Sequence, residues 1–387
     1  MPMWPHFAMD EIGAVSDVLA SGRVNYWTGS NGKMFEEAYA SFLEVDHVIA
    51  CANGTVALEL GLRSFGVGGG DDVIVPAKTF IASASAVVAV GARPVVADVD
   101  VCSQNLTLAT IEAAMTPATR AILVVHLGGW PADMPAIVQF AERHGLLVIE
   151  DCAQAHGAMI AGKPVGAFGD CAAFSFCQDK IITTGGEGGL LAIRGDRAAW
   201  ERAWSYKDHG KSYEAVFHRE HPVGFRWLHE DFGTNMRMTE LQAVIGRLQL
   251  AKLPEWQAQR ASNAEALHRS LTHIAGLRLV SPPADMQHAW YRYYAFLETE
   301  QLAAGWTQDK VIEAINAEGV PCFVGSCSEI YRERAFIKSG YAPSQPLPVA
   351  SKLTRTSLAF LVHPTLTLAD MHDTATAVIK VLHEAVK

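Results

Sequence analysis

The sequence lacks several patterns that would assign it to other classes of protein. It has no long run of Lys and Arg interleaved with aromatic residues, and its formal net charge is -10, so no nucleic-acid partner is expected. Its longest apolar runs, such as residues 84–90, are too short to cross a bilayer. The first residues carry no charged stretch followed by an apolar one, so no secretory signal is expected.

Cysteine is scarce and shows no pairing pattern. Seven cysteines are spread along 387 residues, an odd number without a CxxC pair. Cys322 and Cys327 have no histidine nearby at the spacing of zinc ligands, so no metal site is predicted. Scattered thiols of this kind are typical of reduced proteins, and the expectation is a cytoplasmic protein without a membrane partner.

The turn after the first predicted strand lacks the glycine pattern of nicotinamide-binding proteins. Residues 51–55 contain no GxGxxG, and the glycine-rich run 66–70 shows neither that spacing nor a GK[ST] ending. A Rossmann oxidoreductase is therefore disfavoured. The turn Asn53-Gly54-Thr55 nevertheless offers free amide groups at the start of a predicted helix, an arrangement that binds anions.

What the sequence does contain is a regular alternation of apolar strands and helices. Continuous runs of Val, Ile and Leu are separated by stretches with helical periodicity, a pattern that predicts a parallel sheet covered on both faces. A helical pattern over residues 241–253 is followed by Pro254. We place the end of a large domain there, which divides the chain into residues 1–254 and a smaller α/β domain of residues 255–387.

Polar or aromatic groups follow four of the predicted strands. Because ligands of parallel sheets bind at the carboxyl ends of the strands, these groups are expected to share one edge and to form a site. The groups are Asn53-Gly54-Thr55, Thr79-Phe80, His126, and Asp151 with Gln154 and His156.

A lone lysine lies between two apolar runs that are predicted as strands. Residues 174–176 precede Lys180, and a Thr-Thr-Gly-rich turn leads from it to residues 190–193. Burial at such a place lowers the pKa of the amine, so that a free amine can attack a carbonyl near neutral pH. Lys180 is therefore a candidate for a Schiff base, including one with pyridoxal phosphate, whereas an ordinary lysine beside glycines points into water.

These motifs resemble those of the DegT–StrS family of nucleotide-sugar aminotransferases, which are pyridoxal-phosphate enzymes of fold type I. The similar segments occur in matching order over about residues 10–250, and they are residues 53–55, 73–80, 150–157, 174–189 and 235–243. The resemblance implies an α/β fold in which a large domain has a mostly parallel seven-stranded sheet sandwiched by helices. A smaller C-terminal α/β domain would complete it.

The resemblance also implies roles for individual residues. Lys180 would form the Schiff base with pyridoxal phosphate and then transfer the proton, and Asp151 would pair with the nitrogen of the cofactor ring. The other implied cofactor contacts are Gly54, Thr55 and Ser175 at the phosphate, Phe80 on the ring face, Gln154 beside the 3-hydroxyl group, and Asn235 at the phosphate of a neighbouring subunit. This last contact implies a homodimer with shared sites. Candidate substrate residues are Tyr26, Trp27, Thr28, His209, Lys211 and His363.

The implied reaction moves an amino group from L-glutamate or glutamine, through pyridoxamine phosphate, to a keto group of a nucleotide-linked deoxy-sugar. Such amino sugars enter lipopolysaccharides, other surface glycans or secondary metabolites. An amino-cyclitol transaminase, a sugar dehydratase and a non-catalytic regulator remain alternatives. Lys180 disfavours the dehydratase, because a histidine replaces this lysine in the dehydratases of the family. Cys177, where the family often has histidine, and one additional glycine in the turn leave the substrate open.

Overall fold

The computed structural model describes every residue from Met1 to Lys387 and contains thirteen helices and fourteen strands. The helices are α1 (Met9–Ser21), α2 (Asn31–Leu43), α3 (Gly54–Ser64), α4 (Ala82–Ala89), α5 (Leu108–Ala114), α6 (Met134–His144), α7 (Arg197–Lys207), α8 (Tyr213–Phe217), α9 (Glu240–Leu271), α10 (Gln308–Ala317), α11 (Arg334–Ser339), α12 (Pro348–Thr354) and α13 (Leu368–Ala385). The strands are β1 (His47–Cys51), β2 (Asp72–Pro76), β3 (Arg93–Ala97), β4 (Thr119–Val125), β5 (Leu147–Asp151), β6 (Met159–Ile160), β7 (Lys163–Pro164), β8 (Cys171–Ser175), β9 (Gly189–Ile193), β10 (Leu277–Leu279), β11 (Met286–Gln287), β12 (Tyr293–Leu297), β13 (Cys322–Phe323) and β14 (Ser357–Phe360).

A seven-stranded sheet has the strand order β1-β9-β8-β5-β4-β2-β3. Strands β8, β5, β4, β2 and β3 pair in parallel, whereas β9 is antiparallel to both of its neighbours. Strand β9 is reversed because residues 176–188, here called the lysine loop, connect it directly to the adjacent strand β8. The prediction of a mostly parallel seven-stranded sheet within an α/β fold is confirmed.

Both faces of this sheet are buried, which explains why its strands read as continuous apolar runs. In β1, the side chains of Ile49 and Cys51 belong to one hydrophobic core, and those of Val48 and Ala50 belong to the core on the opposite face. A strand without a solvent face has no reason to alternate apolar with polar residues. Helices cover each face, as the sequence predicts.

Helix α9 corrects the predicted helix end at Leu253. The helix continues through Pro254 as far as Leu271, and Pro254 itself is exposed. Proline removes one intrahelical hydrogen bond, but α9 packs against α1, α2 and α13 along its length, and this packing compensates for the loss. The predicted domain boundary at residue 254 therefore falls inside a continuous helix.

A second, antiparallel sheet of order β10-β12-β14-β13 lies in the C-terminal part of the chain. It shares a separate hydrophobic core with α13 and with the last turns of α9, through Ala264, Leu267 and Leu271. The division into residues 1–254 and 255–387 stays a prediction, and Tyr294, Phe296 and Tyr331 of its second part also belong to a core of the seven-stranded sheet. No helix combines the length and the apolar character that crossing a bilayer requires.

Glu240, the first residue of α9, fixes the start of α2. Its buried carboxylate accepts hydrogen bonds from the backbone N–H groups of Asn31, at 2.6 Å, and Gly32, at 2.9 Å. Both N–H groups lie in a first helical turn, where no intrahelical partner exists. A side chain at Gly29 would collide with this carboxylate, so the loop before α2 packs directly on Glu240.

We expect Glu240→Ala to lower the free energy of unfolding by about 2–4 kcal/mol, because two buried donors lose their acceptor. Guanidinium denaturation followed by circular dichroism measures the change. Glu37→Ala, an exposed position on α2, is the matched control and should change the stability by less than about 0.5 kcal/mol. Equal effects of the two substitutions would contradict the capping role of Glu240.

Candidate active site

A cavity of about 630 Å³ opens where β1, β2, β4, β5 and β8 end, and we call it the strand-edge cavity. Parallel strands present their carboxyl ends at one edge, and the pairing of β4 with β5 aligns Val125 with Asp151 there. The predicted cofactor residues that line it are Gly54, Thr55, Phe80, Asp151, Gln154, Ser175 and Lys180. Seven separate segments of the chain thus meet in one cavity.

Lys180 projects from the lysine loop into this cavity. Its backbone N–H donates to the carbonyl of Cys177 at 3.1 Å, which closes a turn. Its Nζ atom lies 3.7 Å from a carboxylate oxygen of Asp179 and 5.1 Å from the ring centroid of Tyr291. The Tyr291 hydroxyl donates to Asp179, and Arg292 Nη2 lies 3.6 Å from the same carboxylate. The amine is therefore held over an aromatic ring, beside one carboxylate.

The pKa of Lys180 is shifted in the direction opposite to the one expected from its sequence. Burial alone lowers the pKa of this amine, but Tyr291 and the Asp179 carboxylate favour the charged form and outweigh burial, so the pKa is raised. The expectation of a lowered pKa is wrong for the chain itself, since the opposing groups include Tyr291, which is far away in the sequence. Tyr291 and Asp179 therefore stabilise the charged ammonium form of Lys180, which must lose a proton before the amine can attack a carbonyl group.

Asp179→Asn is expected to lower the pKa of Lys180, because it removes a negative charge and frees Arg292. At pH 8, which is below the raised pKa, a larger fraction of the amine is then unprotonated. Cofactor-free protein should bind pyridoxal phosphate about threefold to tenfold faster, measured by stopped-flow absorbance. Asp17→Asn, at an exposed position of α1, is the control. An unchanged pH profile of the association rate in Asp179→Asn would refute this electrostatic role.

Asp151 is a buried carboxylate that has no cationic partner in the chain. It ends β5, is 7% exposed, and accepts hydrogen bonds from the Ser83 hydroxyl at 2.8 Å and the Ala153 N–H at 3.1 Å. Burial raises its pKa, and no salt bridge of the structure includes it. A buried carboxylate that faces an open cavity fits a ligand with a cationic nitrogen.

The turn between β1 and α3 forms an anion cradle. Asn53 caps α3 by accepting the N–H of Val56 at 3.0 Å, while the amides of Gly54 and Thr55 precede the first intrahelical hydrogen bond. A Cβ atom at Gly54 would lie 2.7 Å from Cβ of Ser175, so only glycine lets the two segments approach this closely. These amides and two hydroxyl groups fit a phosphate.

Gln154 and Phe80 complete the predicted cofactor contacts. The side-chain oxygen of Gln154 accepts the N–H of Gly128 at 2.8 Å and the hydroxyl of Ser326 at 3.0 Å, which fixes its orientation. Phe80 is 65% exposed, an unusual state for a phenylalanine next to a buried strand. An exposed ring that lines a cavity is available to pack on a planar ligand.

The candidate substrate residues of the N-terminal loop and of the segment after α7 lie outside the strand-edge cavity. They cluster at the buried Asp208, which accepts hydrogen bonds from Trp27 Nε1 at 2.6 Å and from Lys211 Nζ at 2.9 Å. The other candidate substrate residues here are Tyr26, which donates to Glu36; Thr28, which donates to the carbonyl of Asn25; and the exposed His209. Asn235, predicted as a cofactor contact, is exposed, pairs with Asp208 through a β-bridge and also lies outside the cavity. Within a single chain these residues do not reach Lys180, and their roles stay predictions.

Three histidines are buried away from the cavity. His363 lies 2.8 Å from the Thr365 hydroxyl and stacks on Trp4, and burial lowers its pKa to about 3. His156 donates to the carbonyl of Ser175 at 2.9 Å, and burial lowers its pKa to about 4. His126 is completely buried beside Glu150. The expectation that His126 and His156 present their side chains at the strand-edge site is therefore wrong.

His126, Glu150 and Cys152 form the one group that could hold a metal ion, with ligand atoms within 4.8 Å of one another. His126 accepts the N–H of Ala132 at Nδ1 and faces Glu150 with Nε2 at 3.1 Å. Three backbone N–H groups also donate to Glu150. These atoms are engaged in a structural network that ties β5 to the segment before β8.

Several lining residues were missed from the sequence. Tyr291, Ser326 and Asp179 line the cavity, and Ser83 supports Asp151 from the first turn of α4. Tyr291 and Ser326 come from the C-terminal part of the chain, where no motif marks them. Ser83 follows Thr79 by four residues, and the two hydroxyl oxygens lie 2.7 Å apart. This spacing was the one feature of the sequence that could have indicated Ser83 as a site residue.

A lysine amine forms Schiff bases with carbonyl groups, and pyridoxal phosphate is a carbonyl cofactor that binds in this way. The α/β fold and the strand-edge cavity thus fit a pyridoxal-phosphate enzyme of fold type I. The model of the DegT/DnrJ/EryC1/StrS aminotransferase family matches residues 5–379, and the chain belongs to that family.

Relatives with assigned activities and a solved structure agree with this class. The chain is 38% identical to a UDP-N-acetyl-3-dehydro-alpha-D-glucosamine 3-aminotransferase of Acidithiobacillus ferrooxidans, over 92% of this chain and 89% of that protein. It is 36% identical to an L-glutamine:2-deoxy-scyllo-inosose aminotransferase of Streptomyces kanamyceticus, over 100% and 94%. An aminotransferase structure from Psychrobacter cryohalolentis superposes with a TM-score of 0.96 at 48% identity, covering 99% of this chain and 98% of that one. The prediction of an aminotransferase is confirmed.

Proposed function

We propose that the protein transfers an amino group from L-glutamate to the keto group of a nucleotide-linked deoxy-sugar, with pyridoxal phosphate as cofactor. The observation that carries the proposal is the pairing, in one cavity, of Lys180 with the buried and unpaired carboxylate of Asp151. Lys180, Asp151 and Ser175 all line this cavity, which disfavours a regulator that has lost its chemistry.

The residues of the cavity fit pyridoxal phosphate, which would supply an electron sink that stabilises negative charge next to the amino group. Asp151 would hold a proton on the ring nitrogen, because its carboxylate stays ionised opposite a cation. The α3 amides with Thr55 and Ser175 would bind the phosphate, Phe80 would pack on the ring, and Gln154 would orient the 3-hydroxyl group. Lys180 Nζ would bind the cofactor and then carry a proton between the amino-bearing carbon of the substrate and the carbon of the cofactor that had bound the lysine.

The donor half of the proposal is tested with pure, cofactor-loaded protein. L-Glutamate should bleach the visible absorbance of the lysine-linked cofactor and yield its amine form, with 2-oxoglutarate released. L-Glutamine is the second donor to compare, and D-glutamate is the negative control. No spectral change with either L-amino acid would refute an aminotransferase that uses these donors.

The acceptor half is tested with a panel of keto compounds. UDP-, dTDP- and GDP-linked keto-sugars are compared with free keto-sugars, and the expected result is amination only when the nucleotide is present. The relative from Acidithiobacillus ferrooxidans, named for a UDP-linked substrate, supports this choice. Turnover of free sugars at equal rates would contradict the nucleotide-linked class.

An amino-cyclitol transaminase is the second candidate. The relative from Streptomyces kanamyceticus supports it, since its name gives L-glutamine as donor and a cyclitol ketone as acceptor. 2-Deoxy-scyllo-inosose belongs in the acceptor panel for this reason. Turnover of this ketone with L-glutamine, together with no turnover of nucleotide-linked sugars, would favour the cyclitol reaction.

We also propose a homodimer in which Asn235 reaches the phosphate bound by the other subunit. The supporting observation is the segment of residues 218–234, here called the aromatic arm, which leads to Asn235 and carries strongly exposed apolar side chains. They are Val223, Phe225, Trp227 and Phe232. All seven cysteines are free, which fits a dimer working in the reducing cytoplasm.

Complementation tests the shared site. Lys180→Ala and Asn235→Ala subunits should be inactive or weakened alone. A mixed dimer would have one site with both native residues and should recover up to about a quarter to a half of the activity. Light scattering measures the mass in solution. A monomer, or mixed subunits without recovery, would contradict the shared site.

A further inference from the structure

The first residues of the chain pack against the lysine loop. The indole Nε1 of Trp4 donates a hydrogen bond of 2.8 Å to the backbone carbonyl of Lys180, 176 positions further along the chain. No other side chain donates to this carbonyl. The backbone N–H of Lys180 donates to the carbonyl of Cys177, so the peptide groups on both sides of Lys180 are fixed.

Trp4 is itself held firmly by the C-terminal part of the chain. Its ring meets the edge of Trp256 at a centroid distance of 5.1 Å and stacks on His363 at 6.1 Å. The buried guanidinium of Arg260 lies 5.3 Å from the same ring. The carbonyl of Met3, the preceding residue, accepts the Thr365 hydroxyl at 3.2 Å. The donor therefore belongs to a packed aromatic cluster and not to a free terminus.

The lysine loop contains two glycines that leave its backbone conformation permissive. Gly185 and Gly186 follow Lys180 with φ values of 84° and 120°, which only glycine adopts without strain, and glycine also permits many other conformations. The amine must keep its position relative to the cofactor, which Asp151 would hold, to within a fraction of an ångström for proton transfer to stay efficient. A hydrogen bond to the Lys180 carbonyl fixes the peptide from which the side chain projects.

We infer that Trp4 is a positioning residue for Lys180 and that its indole N–H, rather than its bulk, provides this function. The inference rests on the proposed role of Lys180 as the residue that binds the cofactor. Residues 3–4 thus connect the lysine loop to the aromatic cluster of Trp256 and His363. Removing the N–H while keeping the ring releases the loop without emptying the cluster.

Trp4→Phe tests the inference, with Trp256→Phe as matched control, because the control alters the same cluster and leaves the indole donor in place. Hydrogen–deuterium exchange with mass spectrometry should show faster exchange over residues 177–188 in Trp4→Phe only. In the cofactor-loaded protein, visible circular dichroism reports the orientation of the lysine-linked chromophore and should change in Trp4→Phe only. The single-turnover rate with L-glutamate should fall about tenfold to hundredfold, with little change in KM.

Trp4→His is the second variant, since imidazole retains a ring N–H that can donate to the same carbonyl. It should recover part of the protection and of the dichroism that Trp4→Phe loses, which separates the effect of the ring N–H from the effect of the lost bulk. Native exchange over residues 177–188 together with native dichroism in Trp4→Phe would overturn the inference, as would equal effects in Trp256→Phe. If the native protein does not react with L-glutamate, the proposed donor reaction fails, while the exchange measurement still decides the role of Trp4.

Discussion

Lys180→Ala is expected to lower the rate of the reaction with L-glutamate by at least about 10⁴-fold. The variant loses both the amine that binds the cofactor and the base that moves the proton, and each function contributes strongly to the rate. Its cofactor should bind noncovalently, without the visible absorbance of the lysine-linked form. A stopped-flow spectrum with L-glutamate measures both properties.

Lys163→Ala is the matched control for this substitution. Lys163 is exposed, lies outside the strand-edge cavity, and packs over the ring of Phe168. Its replacement should leave the spectrum and the rate unchanged. A Lys180→Ala protein that keeps the native visible spectrum would show that another amine binds the cofactor, and the buried Lys78, whose pKa burial lowers to about 8, would be tested next.

Asp151→Asn is expected to lower the rate with L-glutamate by at least about 100-fold while the cofactor remains bound to Lys180. The carboxamide has nearly the shape of the carboxylate. Its single oxygen can accept the Ala153 N–H, and its NH2 group can donate to the Ser83 hydroxyl instead of accepting from it. It has no charge with which to keep a ring nitrogen protonated, so the electron sink is weakened and the rate falls.

Ser83→Ala provides the comparison, because it removes one hydrogen bond to Asp151 and leaves the charge intact. Its effect on the rate should be about threefold to tenfold. A ratio of cofactor absorbance to protein equal to that of the native enzyme shows that binding is retained in both variants. Equal rates for Asp151→Asn and the native protein would mean that the ring nitrogen needs no charged partner.

The features predicted correctly from the sequence are those determined by neighbouring residues. The parallel strands are visible because strands with two buried faces are apolar throughout, as in residues 73–75 of β2. Lys180, Asp151 and Gly54 could be placed at the cavity because each lies at or after the end of a strand, and the edge of a parallel sheet brings such positions together. Patterns of neighbouring residues in the sequence therefore predict the sheet and the wall of the cavity that the strand ends form.

The features that were missed depend on contacts between distant segments. Tyr291 reaches Lys180 from a part of the chain without a recognisable motif, and with Asp179 it reverses the expected shift of the lysine pKa. Pro254 predicts the end of a helix, whereas tertiary packing carries α9 through it. Asp208 accepts hydrogen bonds from Trp27 and Lys211 and holds them away from the cavity. No local sequence pattern indicates these contacts.

The central claim, that Lys180 holds a carbonyl cofactor in the strand-edge cavity, is tested most directly by chemical trapping. The pyridoxal-phosphate-loaded protein is reduced with borohydride, digested, and analysed by mass spectrometry. The prediction is one phosphopyridoxyl group per chain, on the peptide that contains Lys180, and none on this peptide when the cofactor is omitted. Labelling of another lysine, or no labelling of the loaded protein, would contradict the claim.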